Sequence, residues 1–251
     1  MAQIFKPGAN SVAKVSLLGV ALLPFTVGYG IAALSRSPAN THVTVPMDQP
    51  VPFSHEHHAW QLGIDCRYCH TSVEKSTYAG LPATEVCMSC HSQIWTNSPL
   101  LEPVRQSYET GTPIKWSLLN KVPQFVFFNH SIHVNRGINC DVCHGPVQDM
   151  MITYKGNAFQ MSWCLQCHRA PERYLYKDPD HPELSPRQQV FNLYWKLQEY
   201  GVAKLSSTEK EILDGEYGGS DDKTEVADGK KLVNDYGVKV QQLADCSVCH
   251  R

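Results

Sequence analysis

Phe128-Asn129-His130-Ser131-Ile132-His133-Val134-Asn135-Arg136-Gly137-Ile138-Asn139-Cys140-Asp141-Val142-Cys143-His144 holds two histidines three residues apart and then a Cys-x-x-Cys-His pentapeptide. That pentapeptide occurs five times: Cys66–Cys69–His70, Cys87–Cys90–His91, Cys140–Cys143–His144, Cys164–Cys167–His168 and Cys246–Cys249–His250. Together the copies use all ten cysteines. Each reads as a c-type haem attachment site. The two thiols add across the haem vinyl groups, so they must lie one helical turn apart, and the following imidazole becomes the proximal iron ligand. Five covalently bound haem c groups are therefore expected.

Other uses of paired cysteines fit less well. Two Cys-x-x-Cys pairs can hold zinc, but zinc does not require histidine after the second cysteine, and five pairs leave one unmatched. A thioredoxin-like motif belongs beside a βαβ pattern, and none is visible. Structural disulfides need no such spacing.

The opening stretch also has a counterpart. Phe53-Ser54-His55-Glu56-His57-His58 leads to Gly63-Ile64-Asp65-Cys66, as Phe128 to His133 leads to Gly137-Ile138-Asn139-Cys140, and a second haem motif follows in each case. The chain thus repeats a di-haem module. Within Phe-x-His-x-x-His the two imidazoles lie near one face of a short helix. His55, His58, His130 and His133 are accordingly expected to be distal axial ligands, two per module. His57 has no counterpart, since Ile132 stands in its place.

Five irons need ten axial positions, and nine histidines are assigned. The tenth falls to Met161, His181, His42 or His57, is supplied by another subunit, or stays vacant. Met161 is preferred slightly over His181, because it precedes Cys164 by three residues and a thioether is a recognised axial ligand. Six-coordinate irons bind no substrate, so outer-sphere electron transfer is expected, with no catalytic residues. Nitrite and hydroxylamine reductases need an open iron, and no Cys-x-x-Cys-Lys motif is present.

Val15 to Leu34 is an uncharged run of twenty residues, long enough to span a bilayer as a helix. It exceeds the usual apolar region of a secretory signal, and no clear cleavage site follows. An uncleaved anchor is expected. Lys6, Lys14 and the amino terminus precede the run and Arg36 follows it, which places the amino terminus in the cytoplasm. The haem domain then faces the periplasm of a bacterial inner membrane.

The expected fold is mainly α with much irregular chain: one transmembrane helix plus a multihaem cytochrome c domain of class III/c7-like modules. Residues 1–36 form the anchor, 37–52 an extended Pro-rich tether, 53–127 the first di-haem module and connector, and 128–170 the second module. Residues 171–251 form a C-terminal helical region carrying the fifth motif. There, Ser185-Pro186 starts a helix stopped by Gly201, and Ser206 with Glu209 forms a capping box. Residues 218–229 read as a surface loop, and an amphipathic stretch runs over 230–244. Ser98-Pro99 reads as a further helix start. So few residues per haem leave a thin apolar core, with the aromatic residues Phe125 to Phe128 covering haem edges. The formal charge of −2 and the lack of a basic stripe argue against nucleic-acid binding.

With one anchor, five motifs in a 2+2+1 layout, and segments such as Val126 to His133 and Met161-Ser162-Trp163-Cys164-Leu165-Gln166-Cys167-His168, the chain resembles the pentahaem cytochrome c subunits of alternative complex III. The resemblance covers nearly the whole chain. It implies multi-span quinol-binding membrane subunits, an iron–sulfur subunit, a mono-haem cytochrome c subunit and a terminal oxidase as partners. Electrons would pass from quinol through iron–sulfur centres into this chain. A self-contained, membrane-anchored quinol dehydrogenase feeding periplasmic reductases is the alternative; such proteins typically carry four haems.

Overall fold

The apolar run becomes one long helix none of whose residues is buried. A computed structural model of the protein describes residues 5–250; the amino terminus and Arg251 lie outside the described residues. The chain divides into two units after His42. The first contains α1 (Ala9–Arg36), long and apolar enough to cross a membrane. No residue of α1 is buried, and Leu17 is 70 %, Phe25 75 % and Tyr29 78 % exposed. A helix apolar on all sides is suited to a hydrocarbon surround. Its hydroxyls suit one too, since Ser16, Thr26 and Ser35 donate back to the carbonyls of Ala13, Leu23 and Ala32. The first part of the expected extended tether instead forms a single turn, α2 (Pro38–Thr41). Proline is tolerated in a first helical turn because its missing N–H has no helical partner there.

The second unit is helical and irregular. Its helices are α3 (Cys66–Cys69), α4 (Thr84–His91), α5 (Glu102–Thr110), α6 (His130–Asn135), α7 (Cys140–His144), α8 (Met161–Arg169), α9 (Pro186–Tyr200), α10 (Ser207–Leu213), α11 (Lys223–Asp235) and α12 (Cys246–Cys249). A π-helical turn covers Glu56–Gln61. Among the described residues β-structure is limited to isolated bridges, including Val43 with Lys155 and Val126 with His250.

Buried apolar side chains form three small clusters. Leu193, Leu197, Leu205, Ile212, Leu213 and Tyr217 make the first. Val73, Val134, Val190 and Phe191 make the second, with Cys66 and Cys140 packed against it. Leu175, Leu232, Val233 and Tyr236 make the third. Helix α9 serves the first two, so it braces the motif-bearing segments. Its ends follow from sequence: Ser185 and Gln188 form a reciprocal capping box, Pro186 occupies the first turn, and Gly201 stops the helix at φ +70°.

The segments around Gly218 and Ser98 differ from expectation. Residues 218–229 are a loop only at their start. Helix α11 begins at Lys223, because the Asp222 carboxylate accepts from the N–H groups of Thr224 and Glu225. Gly229, read as a loop signal, is a packing residue, since a side chain there would run into the Glu172 carbonyl. The expected stretch over 230–244 ends as an α-helix at Asp235, before Gly237 at φ +64°. Ser98-Pro99 starts a 3-10 turn (Pro99–Leu101) that feeds α5, with Pro103 harmless in the first turn.

Candidate haem-binding sites

All five pentapeptides are helical at their cysteines. Thiols three residues apart therefore share a face, one turn from each other. The residue before the first cysteine matters. Asp65 caps α3 by accepting from the Arg67 N–H, and Asn139 caps α7 by accepting from the Asp141 N–H. The shared Asp/Asn of the two modules is thus the device that starts the motif helix. The second and fourth motifs instead ride on the longer helices α4 and α8.

Three of the four repeat histidines each face one motif histidine. His130 and His144 have ring centres 6.3 Å apart with planes 2° from parallel. His133 faces His168 at 6.1 Å, and His58 faces His91 at 6.3 Å. His55 neighbours His70; burial, and then His70, hold its imidazole down to about 4. Two imidazoles on opposite sides of one metal, each nitrogen about 2 Å from it, put their ring centres about 6 Å apart. These side chains are therefore separated by the room that one iron takes up.

Most of these rings also have their second nitrogen engaged. Nδ1 of His58, His70, His91, His130, His133, His168 and His250 lies within hydrogen-bond distance of the carbonyl of Ser54, Gly80, Ile94, Thr77, Asn129, Leu243 and Phe125, respectively. A carbonyl only accepts, so Nδ1 carries the proton and Nε2 keeps its lone pair for a metal. His55 is held differently, with Thr153 Oγ1 3.3 Å from its Nδ1. Burial pushes His133 and His144 below the usual imidazole range, His144 to about 4, which keeps them neutral as ligands must be.

The phenylalanine of each repeat has a specific role. Phe53 meets His55 edge-on at 4.9 Å and stacks on His58 at 4.4 Å; Phe128 meets His130 edge-on at 4.7 Å and stacks on His133 at 4.5 Å. One ring fixes two imidazoles. The two segments differ in backbone, however: the first is π-helical and the second α-helical. The first copy has one residue more between His58 and Gly63 than the second has between His133 and Gly137, and the ring of His57 stacks on Trp95 at 6.4 Å.

The remaining candidates are dispersed. Met161 opens α8 and is 66 % exposed. His181 lies 3.4 Å from the Glu183 carboxylate, and His42, in the first unit, closes α2 with positive φ. Sequence reading missed Thr153 and Phe159. Phe159 packs edge-on to His144 at 6.0 Å from a left-handed backbone, φ +52°, a strain that bulky residues rarely carry. Neither residue lies in the repeat, and no local signal marks it.

Burial pushes the thiols of Cys140, Cys143 and Cys167 up to about 12. Neighbouring thiols add to the rise: Cys87 at Cys69, Cys140 at Cys66, Cys167 and Cys164 at Cys143, and Cys249 at Cys164. Among the described residues no group of three His, Cys, Asp or Glu side chains is placed to hold a metal ion. Large apolar side chains stand exposed beside the motifs: Ile94 and Trp95 after His91, and Phe125 and Phe127 beside His250. Paired imidazoles, helical thiol pairs and uncovered aromatic surface fit haem.

No profile of a known protein family matches the chain. The chain is similar to the multihaem cytochrome c subunit of menaquinone reductase from Nitratidesulfovibrio vulgaris. The two are 31 % identical over 149 residues, which take in 51 % of this chain and 70 % of that protein.

Proposed function

This chain belongs to the multihaem cytochrome c subunits of quinone oxidoreductases, and from that premise we propose that it is the pentahaem electron wire of a quinol-oxidising respiratory complex of the alternative complex III type. Covalently bound c-type haem and membrane-associated electron transfer come with the family. The count of five, the ligands and the named complex are our reading.

The observation that carries it is the set of facing imidazoles at the spacing of one iron. We assign His55 with His70, His58 with His91, His130 with His144 and His133 with His168 as axial pairs, with Nε2 of each ring on the metal. His250 is the proximal ligand of the fifth site. Met161 lies one turn before Cys164, whose thiol neighbours that of Cys249. This puts Met161 on the side of α8 towards the fifth motif and makes it our tenth ligand. When bound, each haem supplies a one-electron ferric/ferrous couple. The chain's own part is to hold both axial positions, exclude substrate from the metal, and tune each potential through ligand type, burial and hydrogen bonding.

Helix α1 is assigned as a single-pass anchor. Lys6 and Lys14 precede its uncharged run and Arg36 follows that run, so the positive-inside rule puts the amino terminus in the cytoplasm and the haem domain on the periplasmic face. The proposed partners are multi-span quinol-binding subunits and an iron–sulfur subunit upstream, with a mono-haem cytochrome c or terminal oxidase downstream.

The test is purification from membranes in mild detergent, following the haem stain of this 28.2 kDa chain and assaying quinol-dependent reduction of an acceptor. Co-migration with multi-span and iron–sulfur subunits, with activity, is the expected result. A lone chain with quinol activity would replace this reading with the self-contained quinol dehydrogenase.

A further inference from the structure

Spatial order and sequence order of the five motifs differ. Within a module the two sites are joined by the Phe-x-His-x-x-His segment. Phe53 touches both His55, which neighbours His70, and His58, which faces His91; Phe128 touches both His130 and His133, which face His144 and His168. Tyr68, in the first motif, also bonds Ser89, in the second, at 2.8 Å. The first motif therefore neighbours the second, and the third neighbours the fourth.

The join between the modules runs through the first and third motifs. Cys66 and Cys140 pack on the same cluster of Val73, Val134, Val190 and Phe191. His130, which faces the third motif, donates from Nδ1 to the carbonyl of Thr77, in the loop that follows the first motif, at 2.8 Å. The next residue, Ser131, donates from its N–H to Ser76. The second motif turns elsewhere: α4 packs on α5, with Thr84 Oγ1 2.7 Å from Ser107 Oγ.

The fifth motif attaches to the fourth. His168 bonds the carbonyl of Leu243, three residues before Cys246, at 2.9 Å. The Phe127 N–H donates to the Cys249 carbonyl at 2.8 Å, just ahead of the segment that presents His133. Cys90 and Cys246, in the second and fifth motifs, are the exposed cysteines; the other eight are partly buried.

We propose that the residues of this chain place the haem sites in one unbranched file, in the order second, first, third, fourth, fifth, with the second and fifth motifs as the two ends that exchange electrons with other subunits. The proposal rests on the axial assignments above. Each transfer is a one-electron step in which the site behind is reoxidised and the site ahead is reduced, with quinol as the proposed reductant.

The test uses the purified holoprotein and the distal-ligand variants His55→Met, His58→Met, His130→Met and His133→Met, each of which raises the potential of one site. Each variant labels its own signal in a redox titration followed by electron paramagnetic resonance. Early reduction of that site then shifts the potential and narrows the lines of its spatial neighbours. The expected pattern is that His58→Met perturbs the first site alone, while His130→Met perturbs the first and the fourth. A response of the third site to His58→Met would overturn the file. Should a variant fail to mature, iron positions in a density map of the wild-type protein decide the matter. The four shortest iron–iron separations must be second–first, first–third, third–fourth and fourth–fifth, and a second–third separation among them overturns the proposal. Loss of quinol-dependent reduction with this coupling pattern intact would count against the proposed function and leave the file standing.

Discussion

An imidazole that gives Nε2 to a metal must be positioned through Nδ1, and in this chain the groups that do so are mostly main-chain carbonyls. Under the proposed assignment the ligand set is fixed by backbone path, which side-chain substitution alone does not undo. Under the proposed assignment His133→Ala should convert one six-coordinate site to a five-coordinate one. Ferrous carbon monoxide binding should rise by one equivalent per chain, and a high-spin ferric signal should appear. An unchanged spectrum would exclude His133 as a ligand. Met161→Ala should abolish the weak near-red absorption band that marks thioether coordination of ferric haem, and should lower one potential, because methionine raises it. If no such band exists in the wild type, Met161 is an exposed packing residue. The motif and repeat histidines were legible in the sequence because their spacing is local. Thr153 beside His55 and Phe159 beside His144 were not, because they arrive from a segment between motifs.

Among the elements, α9 and α10 show how a local signal can carry a second, tertiary meaning. Glu209 is the N3 residue of the Ser206 capping box, as its spacing from Ser206 says. Its other carboxylate oxygen accepts from Lys196 on α9 at 2.8 Å, and Lys196 also reaches Asp178 and Asp180. Lys196, Glu209 and Asp178 are buried, with Lys196 8 % exposed. Lys196→Ala leaves buried carboxylates without their cation and should destabilise the folded C-terminal region by about 3–5 kcal/mol in denaturant unfolding of the holoprotein. Burial works to raise the Glu209 carboxyl, but the Lys196 ammonium and the Ser206 N–H outweigh it and hold it below the usual range. A carboxyl depressed in the folded state stabilises fully above its unfolded value, and this is lost as pH falls through the folded one. Stability of the wild type should therefore drop on acidification below the normal carboxylate range. In Lys196→Ala that drop should shrink, since buried carboxylates without a cation gain from protonation. Helix α11 teaches the converse. Its glycine and polar residues imitate a loop, yet Asp222 caps it and Gly229 is needed for close approach to Glu172.

At the scale of the whole molecule, two units of different surface character are joined in one chain. Helix α1 has no buried residue, whereas the second unit divides its apolar side chains among three small clusters. Removing residues 1–36 should release the haem-bearing remainder from carbonate-washed membranes with its absorption spectrum intact. Retention of the shortened chain in the membrane after that wash would mean that α1 is not the anchor. The sequence by itself determined what short-range geometry encodes: thiols one turn apart, an imidazole next to each pair, two histidines on one helical face, capping boxes, and a run long enough for a bilayer. Those features depend on separations of a few residues, and helical periodicity turns such separations into positions. Tertiary structure alone decided which imidazole faces which motif, that the modules meet through Cys66 and Cys140, and that Leu243 brings the fifth motif beside His168. These pairings join residues up to 75 positions apart. They are set by how α9 and its neighbours pack, and no spacing within the repeat specifies that.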